Sequence, residues 1–261
     1  GQGSPITRVG PQRTYAFFKD GVETLVIRPG FSGQVDNFGM LIPFPSVPSI
    51  RKVPDDTFAH IQAAVAPPEI TVDMRAVRHI PPPPMSRSAG SGGAQMEQER
   101  PLSVDEVRVL KQEAVGMYQV AVLEAGSPKA LKRWMDDHGY QYPKGMDGTV
   151  RDYVKVRWCF VAVKARVGVK ERVNPKPGVK RANPKMRAGS SFNGHVQAMG
   201  FRFKVKSPVI PMRLSAFNEG KLYNEIYFLG EKGVRIRGLP KKLVAQQVPG
   251  KKLHRNVTDL L

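Results

Sequence analysis

The residues of this chain best suited to do chemistry are cations. Lys164, Arg166, Lys170, Arg172, Lys176, Lys180, Arg181, Lys185 and Arg187 crowd one stretch, and Arg202, Lys204 and Lys206 follow it. Residues 164–261 hold 22 Lys+Arg against 5 Asp+Glu, so nearly all of the formal net charge of +19 lies in the last third. Ammonium and guanidinium groups gathered in this way hold phosphate, sulfate or carboxylate by charge-assisted hydrogen bonds, and they release counterions from a polyanion. The chemistry they point to is binding of an anionic polymer, an envelope polysaccharide or a nucleic acid. These residues are the candidate site.

Catalytic constellations are missing by comparison. His60, His79, His138, His195 and His254 are scattered, and the sequence holds no phosphate-binding glycine loop, no Gly-x-Ser-x-Gly and no His-Glu-x-x-His. A lone histidine on an apolar helix face, such as His60 or His138, reads as a satisfied core residue. Asp136 and Asp137 are adjacent, so on a helix they point about 100° apart and do not share a substrate atom. Cys159 is the only cysteine, which excludes an internal disulfide and a multi-cysteine metal site. Its place on the apolar face of a strand reads as a buried, inert thiol. Asn256-Val257-Thr258 fits a glycosylation sequon, a pattern too short to carry an argument. No cofactor and no metal are expected, and the reading leans away from an enzyme.

The elements that must position these residues are clearest between Leu131 and Val167. Ser127-Pro128 is an N-cap and first-turn pair. Ala130, Leu131, Trp134, Met135 and His138 then recur at helical spacing until Gly139 supplies a stop. Val150, Tyr153 and Val154 predict a short second helix. From Trp158 the period becomes two, with Cys159, Val161, Val163, Ala165 and Val167 on one face and Trp158, Phe160 and Ala162 on the other. Trp134, Phe160, Leu131 and Val161 are the expected centre of the core.

Elsewhere, Arg13 to Pro29 predicts a hairpin around Lys19-Asp20-Gly21. Val35 to Phe44 predicts a strand, after which Pro43, Pro45, Pro48 and Pro54 keep the chain extended and out of the middle of a sheet. Asp55 or Asp56 caps a predicted helix with Phe58, Ile61, Gln62 and Val65 on one face, and Ile70–Ile80 is a further strand. Strands are also predicted over Val104–Leu110, Ala114–Leu123, Val209–Ala216 and Leu222–Leu229. Phe201, Phe203 and Val205 alternate with Arg202, Lys204 and Lys206, the pattern of a strand with one wet face. An antiparallel pairing of Trp158–Val167 with Gly200–Lys206 would make the basic stretch between them a hairpin loop.

The chain therefore divides into a β-rich half with one short helix at 1–80, a Pro/Gly/Ser-rich linker or loop at 81–102, and an α+β half at 103–230 with a basic loop at 168–195. A basic tail or the start of a further region follows at 231–261. The fold class is α+β, mostly antiparallel β-sheet and sandwich-like, with a few short helices. No apolar run nears the length of a membrane span. The sequence opens at Gly1 without a methionine, which leaves room for an upstream signal peptide or anchor.

Four blocks in order, DNFGMLIPFPSVPSI at 36–50 with DDTFAHI after it, LKRWMDDHGYQYP at 131–143, VRDYVKVRWCFVAVK at 150–164 and FRFKVKSPVIPMRLSA at 201–216, resemble the bacterial domain of unknown function 2330. The likeness spans residues 13–230. It implies an exported bacterial protein, in the periplasm or at the cell surface, of unassigned function and with no catalytic residues to carry over. The chain departs from that pattern by lacking an early cysteine pair and by the basic stretch at 168–195. The function expected is a non-enzymatic binding or structural role with a polyanion-binding surface. An intracellular nucleic-acid-binding protein and a hydrolase assembled from distant residues are the other readings.

Overall fold

The computed structural model describes residues 7–8, 11–34, 38–54, 57, 101–165, 167–168, 186–187, 191–195, 197–217 and 223–231. After a short β1 (Thr7–Arg8), β2 (Pro11–Lys19) and β3 (Val22–Arg28) form the expected hairpin. Its two-residue turn places Asp20 at φ 50° and Gly21 at φ 73°, the left-handed pair whose twist matches that of the flanking strands. Then come β4 (Gly30–Gln34), β5 (Gly39–Phe44) and β6 (Ser49–Val53). Among the described residues β5 has a neighbour on one side only, so Pro43 can sit in it without breaking a ladder.

The next hairpin joins β7 (Val107–Val115) to β8 (Tyr118–Ala125). The sequence suggested a break near residues 111–113, but the turn is at Gly116, with φ 57°. The polar residues that mimic a turn belong instead to an edge strand with a bulge between Val109 and Lys111. Helix α1 (Pro128–Asp137) begins where predicted, the Ser127 hydroxyl accepting from the Ala130 N–H at 3.1 Å, and Gly139 follows it at φ 74°. Helix α2 (Asp147–Lys155) is the predicted second helix. The remaining strands are β9 (Cys159–Ala165), β10 (Val167–Gly168), β11 (Met186–Arg187), β12 (Ser191–His195), β13 (Ala198–Lys204) and β14 (Tyr223–Gly230).

Two sheets dominate. One runs β14-β2-β3-β13-β6 and the other β5-β9-β8-β7. All pairings in them are antiparallel except β14 with β2. One hydrophobic cluster joins the inner faces of both sheets, with Leu25, Ile27, Phe201 and Phe203 from the first and Ile42, Phe44, Val161 and Val163 from the second. A second cluster lies on the opposite face of the four-stranded sheet, where Phe160 and Ala162 meet Leu131, Met135, Val150 and Tyr153 of the helices. The alternation read along β9 is thus the boundary between two packing layers. Phe160 is fully buried, and by the usual cost of truncating a buried ring roughly 3 to 5 kcal/mol rests on it. The α+β class with mostly antiparallel sheet holds. Both large sheets take strands from either side of residues 81–102.

Several expectations are corrected. β9 does not pair with β13, since the two lie in different sheets, although both supply residues to one hydrophobic cluster. Both strands alternate in the same way, and alternation alone does not choose a partner for either. Val209–Ala216 is not a strand. Pro208 and Pro211 interrupt any ladder, the Val209 N–H is taken by the Glu23 carboxylate, and Arg213–Phe217 forms a 3-10 turn. Residues 168–195 are not wholly loop, because β12 pairs with β4 in a three-stranded sheet with β1. Trp134 is half-buried, not central, and His138 is exposed, its ring stacked on Trp134 with centroids 4.1 Å apart. Of the helix predicted after Asp55 or Asp56 only Thr57 is described, as helical; the rest of it, the strand at 70–80 and residues 81–100 lie outside the described residues.

Candidate functional site

The predicted cations separate into groups. Lys164 stands on the helix side of β9, where its ammonium donates to the His138 carbonyl at 3.1 Å and lies 5.6 Å from the Tyr140 ring centroid. That is the position of a cation closing a helix C-terminus. Arg202 and Lys204 are on β13 in the other sheet, exposed, and Lys206 is exposed just beyond. Arg166 and residues 170–185 lie outside the described residues, as does the side chain of Arg187.

Arg202 and Lys204 point away from the core because Phe201 and Phe203 point into it. The neighbouring strand β6 adds Arg51 to that outer face. Arg51 pairs with Gly200 and Ser49 with Arg202, which sets Arg51 diagonally across from Arg202. Side-chain hydroxyls fasten this edge, Ser46 donating to the Lys204 carbonyl at 2.7 Å and Ser49 to that of Arg202 at 3.4 Å. Arg51, Arg202 and Lys204 have no ion-pair partner among the described residues. Sequence reasoning missed Arg51 by treating its segment as a proline-bound extended path; the signal was Ile50 turning inward beside it. At the other end of the same face Tyr15 stacks on Tyr227 at 5.0 Å beside Phe17, and Arg13 pairs with Glu225 at 2.9 Å. Tyr15 is fully buried, so these rings are not an open stacking platform.

A second feature is a cavity of about 590 Å³ around the free edge of β5. Leu25 and Ile27 of β3 and Met40 and Ile42 of β5 line one side. Met135, Tyr140 and Met146 from the end of α1 and the loop after it line another, and Ile210, Met212 and Phe217 a third. A Cβ added at Gly39 would lie 3.2 Å from the Tyr140 ring, so glycine there lets the ring close over the strand. Burial pushes the Tyr140 hydroxyl up to about 12. The Tyr142 hydroxyl donates to Asp147 at 2.9 Å, and burial together with that carboxylate raises its pKa too. Glu23 is near this side of the fold, two residues before Leu25. One of its oxygens accepts from the Val209 N–H at 2.8 Å, and the other has no partner among the described residues. Burial pushes this carboxyl up to about 7.

No cluster of three or more His, Cys, Asp or Glu suited to a metal occurs among the described residues. Cys159 is buried, donates to the Phe44 carbonyl at 3.5 Å, and has its thiol pushed up to about 12 by burial; it is no nucleophile. Asp136 pairs with Lys132 one turn earlier and is exposed. The described residues thus present a cationic sheet edge and a cavity lined by no lysine or arginine.

Compared with protein families, residues 7–247 match the one described as an uncharacterized protein conserved in bacteria (DUF2330). The chain belongs to DUF2330. The match reaches beyond both ends of the 13–230 stretch that carried the resemblance. No curated protein and no solved structure matches this DUF2330 chain. Among its described residues no helix is long and apolar enough to cross a membrane.

Proposed function

We propose that this protein is a non-catalytic binding protein of the bacterial envelope, exported from the cytoplasm, whose outer sheet edge takes an anionic polysaccharide. The observation that carries the reading is the grouping of Arg51, Arg202 and Lys204 on one exposed face without an acidic partner among the described residues. Like charges facing each other across strands are unfavourable, and an anionic polymer removes that cost while releasing its own counterions. Lys206 continues the edge, and the basic residues at 166–187 add long-range attraction. Lys164, engaged with the end of α1, supports the fold instead.

Retention on heparin resin, with the salt needed for elution, tests this. Replacing Arg51, Arg202 and Lys204 together by serine is expected to lower the elution salt clearly. A control that replaces Lys129, Lys144 and Lys155, exposed cations of the helical side, removes the same charge and is expected to move it little. Equal shifts in the two variants would sink the proposal, leaving only the net charge. Preference for duplex DNA over heparin at matched salt would favour the intracellular nucleic-acid reading.

A further inference from the structure

We infer that the cavity around the free edge of β5 is a binding site for an uncharged, largely apolar small molecule, separate from the cationic sheet edge. Its volume of about 590 Å³ falls in the range of small-molecule sites. Charge decides the class of ligand. In a chain of net charge +19, no Lys or Arg among the described residues lines this cavity, and its single carboxylate, Asp136, is already paired with Lys132. An anion entering would lose its water and meet no cation, and a cation would find only an exposed carboxylate in use.

Apart from Asp136, the polar groups that line it are neutral. Gln12, Thr14 and Asn224 stand on the inner side of β2 and β14, Gln141 on the loop after α1 and Ser215 in the 3-10 turn Arg213–Phe217. Amides and hydroxyls both donate and accept, so they suit a hydroxyl, amide or carbonyl on the ligand. The apolar walls carry Met40, Met135, Met146 and Met212. Methionine is unbranched and polarizable and conforms to differing shapes, which fits a ligand body held by contact and not by a fixed outline.

The probe is N-phenyl-1-naphthylamine, which is neutral and apolar and brightens when it leaves water. The full chain is expected to give a saturable, one-to-one rise that salt and heparin leave unchanged. Met212→Lys and Asn224→Lys each place an ammonium in a different wall and are expected to weaken the probe by roughly tenfold or more. Val156→Lys adds the same charge at an exposed site after α2 and is expected to bind as the parent does. Hydrogen exchange of the unaltered chain gives a readout free of folding defects: the probe must slow exchange within 139–146 and 210–217. The inference is overturned by the absence of a saturable rise, by probe affinity in both cavity variants equal to that of Val156→Lys, or by protection confined to other segments.

Discussion

Glu23 is a carboxyl group buried on an apolar strand face, held by one backbone N–H and short of a second donor among the described residues. Desolvation moves its pKa from 4.5 to about 7. Below about pH 4.5 both the folded and the unfolded chain keep this proton, and the group costs nothing. Between there and about 7 the unfolded chain releases a proton that the native state retains, so stability falls as pH rises. Above about 7 the full cost is in place, about 3 kcal/mol for a shift of that size. Glu23→Gln is expected to flatten this slope and to melt higher than the parent in mildly alkaline buffer. Melting curves across the pH range check it, and an unchanged slope would mean that the carboxyl finds another partner. The sequence did not mark Glu23, because one acidic residue at a strand end has the pattern of a solvated turn. Cys159 was legible, since its neighbours in both directions are apolar and alternate.

Among the elements, α1 was the most readable because its signals are local. The Ser127 cap, the proline after it and the left-handed Gly139 each act within a few residues. Ser127→Ala is expected to cost about 1 kcal/mol, read as a lower denaturant midpoint at unchanged slope; a shift within error would mean that packing against β8 and β9 alone sets the start of the helix. The Asp20-Gly21 turn was readable for the same reason. Partnering of strands was not. β6 became a strand because β13 offered it an edge, and residues 208–217 failed to become one because Glu23 and two prolines redirected the chain. The prolines are local, but the β13 edge and the Glu23 contact depend on residues more than a hundred positions away, which alternation along one segment does not record. The cationic edge inherited this blindness: Arg202 and Lys204 were visible, whereas Arg51 needed the pairing.

In the whole molecule the two halves read from the sequence are interleaved. β3 pairs with β13, β5 with β9 and β2 with β14. A chain divided within 81–102 would leave each part with incomplete pieces of both large sheets and an exposed share of the cluster between them. Neither part is expected to be folded when made alone, whereas the two made together should co-purify and regain a cooperative melt. A cooperative transition in the 103–261 part by itself would contradict the shared core. Division at this point also separates the walls of the cavity, so binding of the neutral probe should return only with the reassembled pair.

The parallel seam of β2 with β14 bears on biosynthesis. β2 is synthesised long before its parallel neighbour, since one of its edges is filled only by residues 223–230. Until then the nascent chain carries an unpaired, apolar-flanked strand, the kind of edge that recruits other chains. Its hairpin partner β3 likewise waits for residues 198–204. Topologies of such long sequence separation fold slowly. The hairpin of β2 and β3 therefore keeps both outer edges open until the chain has been made as far as residue 230.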